Sequence, residues 1–437
     1  MRNIKGRRSI TAGLAAAAAA LLVLGGTQIV DWRQVAKQTK KALVAARLEA
    51  WYLAEASLGL NLNHPHWQTA HVDWPVATPE SAGLSLERLD ALRADLAAHE
   101  TRAFLVVRDG RLAYEWYARH DGPNTRIGLA ALAKALVACP LLLAAQGDGR
   151  ISLQDPVSKY LPAWNSDPSK SQITIFNLAT HSSGLEDVYF GPEVTGWKKR
   201  YVDHPDDRFR MALEVPQVTF APGSRYSYAG VGYYVLASAL TESLAGTAYP
   251  NIRAYYRSRI AEPLGIPDTD WELNYGRVSH DGPTELYAIG SGSAFTARAV
   301  ARIGQLILDR GAVNGRSLIA APYVEEAISN AGLPPVTGDD GKPAPSMGIS
   351  WWVNDPKVLP SLPEDAAVGA GADDQILLVV PSLRLIVVRL GGRLGSDHWG
   401  GRFWTELEER FFRPLMAAVN SPNDGGTLHS AIEHPPR

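Results

Sequence analysis

Cysteine is nearly absent. The single Cys139 lies in an apolar run and has no partner for an internal disulfide, so the fold must rest on its core, with Cys139 expected as a small buried hydrophobe. Charge of one sign is also missing. Lysine and arginine number 43 against 45 acidic residues, a net charge of −2, which provides no basic field for nucleic acid and no acidic solvating tail. The 11 histidines are scattered, with no Cys/His cluster at metal-ligand spacing and no His-x-x-x-His pair, so neither a metal nor an organic cofactor is implied. No segment repeats at a fixed period. What remains, 437 residues of which 46% are hydrophobic, is enough for a large core.

The N-terminus carries a long hydrophobic run. Arg2, Lys5, Arg7 and Arg8 precede "ITAGLAAAAAALLVLGG", a basic flank before an apolar stretch long enough to cross a bilayer. Residues 1–30 are therefore expected to be a signal anchor or signal peptide, the basic end staying in the cytoplasm. The remainder would face the periplasm from the inner membrane, or be secreted if the signal is cleaved. Residues 31–73 predict an amphipathic helical stalk followed by a Pro- and His-containing linker. A polar, Pro/Gly-rich tail, 418–437, is expected to be disordered.

The folded domain is expected over 74–417. "LSLERLDALRADLAAH" places Leu86, Leu89, Leu92 and Leu96 on one helical face. "AFLVVRDGRLAYEWY" is two apolar runs around Asp109-Gly110, a hairpin signal, and "QILLVVPSLRLIVVRLGG" repeats the pattern around Pro381-Ser382. Helix-like segments lie between. Hairpins at both ends of the chain favour an α+β class: one antiparallel sheet flanked by helices, with an inserted mostly helical region.

Three stretches carry candidate chemistry. In "GLAALAKALVAC", Lys134 has no charged neighbour for several residues on either side, so a buried lysine here needs a partner. Residue 131, one helical turn earlier, is alanine. A serine there would face a desolvated lysine able to act as its base, but an alanine methyl cannot attack a carbonyl. Pro140, six residues on, is expected to kink this helix. In "APGSRYSYAGVGYYVL", Pro222-Gly223 marks a turn and Tyr228 precedes an apolar helix. A tyrosine facing a lysine can shuttle protons. In "VGAGADDQILLVVPS", small residues lead into a strand and let a ligand's backbone approach closely, and Asp373 and Asp374 read as a solvated turn.

With these pieces in this order, the chain resembles the serine β-lactamase-like family, which includes class C β-lactamases, D-alanyl-D-alanine carboxypeptidases, esterases and 6-aminohexanoate-dimer hydrolases. "DGRISLQDPVSKYLPAW", "ITIFNLATHSSGLED", "GSGSAFTARAVARIGQLILDRG" and "MGISWWVN" extend the likeness over roughly 74–417. The resemblance implies a β-lactamase/transpeptidase-like fold. It places the family's Ser-x-x-Lys on Ala131-Leu132-Ala133-Lys134, where the lysine matches and the nucleophile does not. Its Tyr-x-Asn falls on Tyr228-Ala229-Gly230, with glycine where the family's asparagine holds the substrate amide. Its Gly-x-x-Gly-Gln falls on Gly371-Ala372-Asp373-Asp374-Gln375, with Asp374 for a glycine.

The resemblance thus implies Ala131, Lys134 and Tyr228 at the catalytic positions and Gly230, Gly371, Ala372 and Gln375 around the ligand. All three motifs depart from the pattern, and losing a nucleophile typically costs several powers of ten in rate. The expected function is a catalytically impaired homologue that binds a small molecule, peptide, amide or cell-wall-like ligand in the cleft. Two alternatives stand beside it. One is an active hydrolase in which Lys134 and Tyr228 serve water or a loop serine such as Ser182 or Ser183. The other is an engineered Ala131 variant of an active enzyme.

Overall fold

The computed structural model describes residues 74–188, 195–338, 341–395 and 402–419. The expected anchor, stalk and linker lie outside these residues. So does the expected tail, apart from Ala418 and Val419, which belong to the last helix.

Both predicted hairpins form. Strands β1 (Thr101–Arg108) and β2 (Arg111–Tyr117) close around Asp109-Gly110, with Arg108 opposite Arg111. Helix α1 (Leu86–Ala98) precedes them, and between them and the C-terminal hairpin come the short strands β3 (Arg126–Gly128), β4 (Trp271–Glu272), β5 (Ala294–Thr296), β6 (Ser346–Met347) and β7 (Trp352–Val353), and β8 (Ala367–Gly371). The C-terminal hairpin is β9 (Gln375–Val380) and β10 (Leu385–Gly391). Seven strands make one antiparallel sheet in the order β6-β7-β8-β9-β10-β1-β2, so the N-terminal and C-terminal hairpins meet where β10 pairs with β1. A three-stranded sheet, β3-β5-β4, stands beside it.

Strand alternation assigns the two faces. On one face, Phe104, Val106, Leu378 and Val387 pack with Leu89, Leu92 and Leu96 of α1 and with Phe411, Phe412 and Leu415 near the C-terminus. On the other, Leu105, Val107, Leu377, Ile386 and Val388 meet the helical region. Leu86 departs from its predicted face and is 41% exposed, because it opens the helix directly after the Ser85 cap, before the helix reaches the sheet.

The helix following residue 131 is the domain's spine. A π-type turn, Lys134–Ala138, runs into α2 (Cys139–Gly147), and nearly every side chain along it is buried. This stretch is long and apolar enough to cross a membrane, and its burial identifies it as a core helix. Pro140 expresses itself as the register change from π to α geometry rather than as a break. Proline cannot donate to the carbonyl four residues back, and Leu136 O instead accepts from Tyr256 Oη at 3.0 Å. Cys139 is fully buried, as its apolar setting predicts. The helices α3 (Ile175–Ala179), α4 (Gly230–Ser243), α5 (Ala297–Leu308) and α6 (Arg413–Val419) complete the frame used below.

Candidate active site

Lys134 is 6% exposed, and the partners its apolar surroundings require are present. Its Nζ lies 2.6 Å from Tyr228 Oη and donates to the Gly290 carbonyl at 2.8 Å. It also sits over the Tyr228 and Tyr233 rings, 4.8 and 4.9 Å from their centroids. Burial brings the lysine pKa down from 10.5 to about 7, opposed by the negative field of Asp187. An amine near neutrality, hydrogen-bonded to a phenol, is equipped to take and return a proton.

Ala131 lies one turn before this amine, in a 3₁₀ turn spanning Ala130–Leu132. Ala130 has φ +46°, left-handed backbone that a residue with a Cβ adopts at a cost. Three things hold the turn. Leu129 N donates to Ser293 O at 2.8 Å, and Leu132 N donates to Leu129 O. The end of β8 presses on it from the third side. A Cβ on Gly371 would come 2.4 Å from Leu129 O, 2.7 Å from Leu132 N and 3.2 Å from Ala131 N. Gly369 is in similar contact with Leu132 and Ala135. The small residues noted in "VGAGADD" thus allow the strand to reach the turn.

Tyr228 is set by a histidine that sequence reasoning placed only within a family-like loop. α3 is closed at its start by a reciprocal cap between Thr174 and Asn177, and the chain leaving it turns through His181 at φ +54°. His181 brackets Tyr228. Its carbonyl accepts from Ser227 N at 2.8 Å, its Nδ1 accepts from Ala229 N at 3.0 Å, and its ring stacks on the Tyr228 ring at 4.3 Å between centroids. Because Nδ1 accepts, the ring proton sits on Nε2, which is buried without a hydrogen-bond partner among the described residues. Burial, reinforced by the nearby Lys134, holds the imidazole pKa well below its ordinary value, so the ring is neutral. Asp187 accepts from Val231 N at 3.3 Å in the first turn of α4, which brings its carboxylate into the same neighbourhood.

The structure therefore brings Ala131, Lys134, Tyr228 and Gly371 together, with Ala372 following in the next turn. Gly230 is the first residue of α4, directly behind Tyr228, and offers main chain only. The side chain of Gln375 is spent on structure. Its Nε2 donates to Gly391 O at 2.5 Å, and its Oε1 accepts from Gly391 N at 3.0 Å, tying β9 to β10. The turn at Asp373-Asp374 is half-buried rather than fully solvated as expected. Both carbonyls accept from Arg389 Nη1, at 2.8 and 2.9 Å. Arg389, fully buried on β10, also donates to Thr101 Oγ1, His99 O and Gly392 O. Burial and the neighbouring Asp374 push the Asp373 carboxyl up to about 6.

Neither loop serine faces Lys134. Ser182 Oγ bonds to Asn177 Nδ2 and Thr180 Oγ1, and Ser183 Oγ accepts from Leu185 N. Sequence reasoning missed His181, Asp187 and the Gly290 carbonyl. The only available signal was the polar "THSSGLED" loop within an apolar region.

A family profile described as Beta-lactamase matches residues 89–399. The D-alanyl-D-alanine-carboxypeptidase/endopeptidase AmpH of Escherichia coli is 28% identical over 255 residues, 52% of this chain. The chain spans 62% of that relative's length. The 6-aminohexanoate-dimer hydrolase of Paenarthrobacter ureafaciens is 25% identical over 74% of this chain and 83% of its own. Among solved structures, a 6-aminohexanoate-dimer hydrolase homologue from Bacillus anthracis superposes with TM-score 0.60 at 19% identity, covering 80% of this chain and 87% of its own. A penicillin-binding protein homologue from Caulobacter crescentus gives TM-score 0.58 at 17% identity over 76% and 99%. These neighbours share the fold read above, an antiparallel sheet with flanking helices.

Proposed function

We propose that this chain, which belongs to the beta-lactamase family, binds a peptide, amide or cell-wall-like ligand in its cleft and is impaired in hydrolysis. One observation carries the reading. The proton-handling pair Lys134 and Tyr228 is assembled at 2.6 Å, while the residue one turn earlier, where the family resemblance places the serine, is Ala131. Such a site keeps its base and relay and lacks the oxygen they would activate. The relatives named above act by their names on D-alanyl-D-alanine and 6-aminohexanoate-dimer substrates, both amides, which favours an amide-bearing ligand here. Gly371 and Ala372 would line it with main chain, and Gly230 would leave room where a larger side chain would reach it. Gln375, held by Gly391, would act by shaping that edge. Residues 1–30 would hold the domain at the inner membrane, facing the periplasm.

The test pairs the full chain with its Ala131→Ser variant, using a p-nitrophenyl ester, nitrocefin and a fluorescent fluorophosphonate. The expected result is labelling and turnover only in the serine variant. Ester hydrolysis by the unmodified chain, with an acyl adduct mapped to any serine, overturns the proposal.

A further inference from the structure

A buried amine that has kept its phenol relay but faces no hydroxyl at residue 131 is chemically different from a general base. Nothing at residue 131 competes with it for an electrophile, because an alanine methyl is inert. Ala131 is partly exposed while Lys134 is buried one helical turn further along, so a small carbonyl compound would reach the amine past the alanine methyl. Each polar neighbour of Nζ is accounted for. Gly290 O accepts one N–H, and Tyr228 Oη lies at 2.6 Å. The titratable and charged groups facing it are Tyr228 and Tyr233 through their rings, neutral His181, and Asp187. Among these, only Asp187 is a counter-charge for an ammonium.

We propose that Lys134 is itself a nucleophile, its Nζ condensing with a small aldehyde or ketone that enters the cleft to form an imine, with Tyr228 as the proton relay. This rests on the reading that no serine acts at this site. The Nζ lone pair forms the C–N bond, and the carbonyl π pair moves to oxygen, which takes the Tyr228 proton. The ammonium formed at Nζ returns a proton to Tyr228. The C–O bond then breaks as nitrogen forms C=N, and the oxygen leaves as water with a second proton from Tyr228. The iminium N–H restores that proton. One amine and one carbonyl give one imine and one water, with no oxidant or reductant. Lysines desolvated in apolar pockets are established imine formers in general.

The neutral fraction sets the expected selectivity. With a pKa of about 7, about half of Lys134 is unprotonated at neutral pH, against about one in 2,500 for an ordinary exposed lysine. A less basic amine is also a weaker nucleophile, by about 30-fold over this range if a slope of about 0.45 is borrowed from thiols. A preference of at least about tenfold survives.

The test treats the full chain in detergent with propanal and cyanoborohydride, which reduces the imine to a stable secondary amine, followed by peptide mass mapping. Lys199 and Lys159, whose side chains are about half exposed, are internal references. Lys134 should be alkylated at least about tenfold faster than either at neutral pH, with the advantage shrinking towards pH 10 as the exposed amines deprotonate. A Lys134→Arg variant should lose only that label. Should it misfold, the map of the unmodified chain still decides. Alkylation of Lys134 no faster than Lys199 overturns the inference. Because the readout is a mass on Lys134, its failure leaves the Ala131→Ser result untouched, and a serine acyl adduct in the unmodified chain would overturn the proposed function instead.

Discussion

Gly371→Ala tests whether the contact between β8 and the 129–132 turn is what positions the site. The glycine has φ −141° and ψ 166°, extended backbone that alanine adopts freely, so any cost is steric. The new methyl would meet Leu129 O at 2.4 Å and Leu132 N at 2.7 Å. Both are main chain and cannot rotate away, so strand or turn must move. Overpacking of this kind costs about 1–3 kcal/mol. For a domain of this size each kcal/mol lowers Tm by about 2 °C, giving a fall of about 2–6 °C. Gly110→Ala is the matched control with the opposite physics. Gly110 has φ +70° and nothing within 4 Å of a Cβ, so its cost of about 1–2 kcal/mol is purely conformational and local to the hairpin. Calorimetry gives the two Tm values, and hydrogen exchange by mass spectrometry separates the sites. Gly371→Ala should speed exchange across residues 129–134, and Gly110→Ala should leave that segment unchanged. A Gly371→Ala protein with parental Tm and parental exchange there would refute the argument that β8 braces the turn.

His181→Phe keeps the ring over Tyr228 but removes the acceptor for Ala229 N–H, and a buried donor left unmet should cost about 1–3 kcal/mol by urea unfolding. Because the His181 pKa in the fold lies below its unfolded value, the unfolded chain binds the proton first. This residue's contribution is therefore lost as pH falls below about 6.5, by up to about 1.4 kcal/mol per unit, and the Phe variant should lack that component. Arg389→Met strands the carbonyls of Asp373 and Asp374 and the Thr101 hydroxyl, and should destabilise by about 3–5 kcal/mol, read as a lowered urea midpoint. Lys134→Met reads the desolvation directly. Between about pH 7 and 10 the unfolded chain holds a proton on this lysine that the folded chain does not, so the parent gains stability as pH rises and the Met variant does not. The stability difference between the two should change by about 1.4 kcal/mol per pH unit across that window, and parallel curves would show that the amine is not desolvated.

What was legible in the sequence was whatever depends on near neighbours. The hairpins at Asp109-Gly110 and Pro381-Ser382 are written in turn residues between apolar runs, and both formed, the first with a bulge at Val106-Val107 that the sequence did not announce. That Lys134 would need a partner followed from the apolar residues around it. The identity of the second partner did not, because Gly290 is 156 residues away and contributes a carbonyl, which no side-chain pattern announces. His181 was equally hidden, since stacking and a ring nitrogen accepting from Ala229 N are tertiary facts. Asp373 and Asp374 read as a solvated turn because their main-chain partner, Arg389, arrives from the opposite strand. Gln375 shows the limit of a motif. The sequence placed the residue, but its amide is claimed by Gly391.

The backbone around the amine is held in conformations that cost free energy. Ala130, His181, Ser350, Asp373 and Asp374 all have φ between +46° and +65°, and none is glycine. Ser350 belongs to the same framework, since its N–H donates to Ala179 O and its hydroxyl bonds to Tyr233, the ring over which Lys134 sits. Residues in this region cost of order 1–3 kcal/mol each and persist where surrounding contacts over-determine them. Here those contacts are the Arg389 guanidinium, the His181 bracket and the press of Gly371 on the turn. A desolvated lysine adds a further cost at neutral pH, and Ala131 offers no hydroxyl to offset it. An apolar residue at position 134 would remove that cost, so the arrangement is one that folding alone does not require. That cost is what the proposed ligand site would have to justify, and the Lys134→Met pH profile measures how large it is.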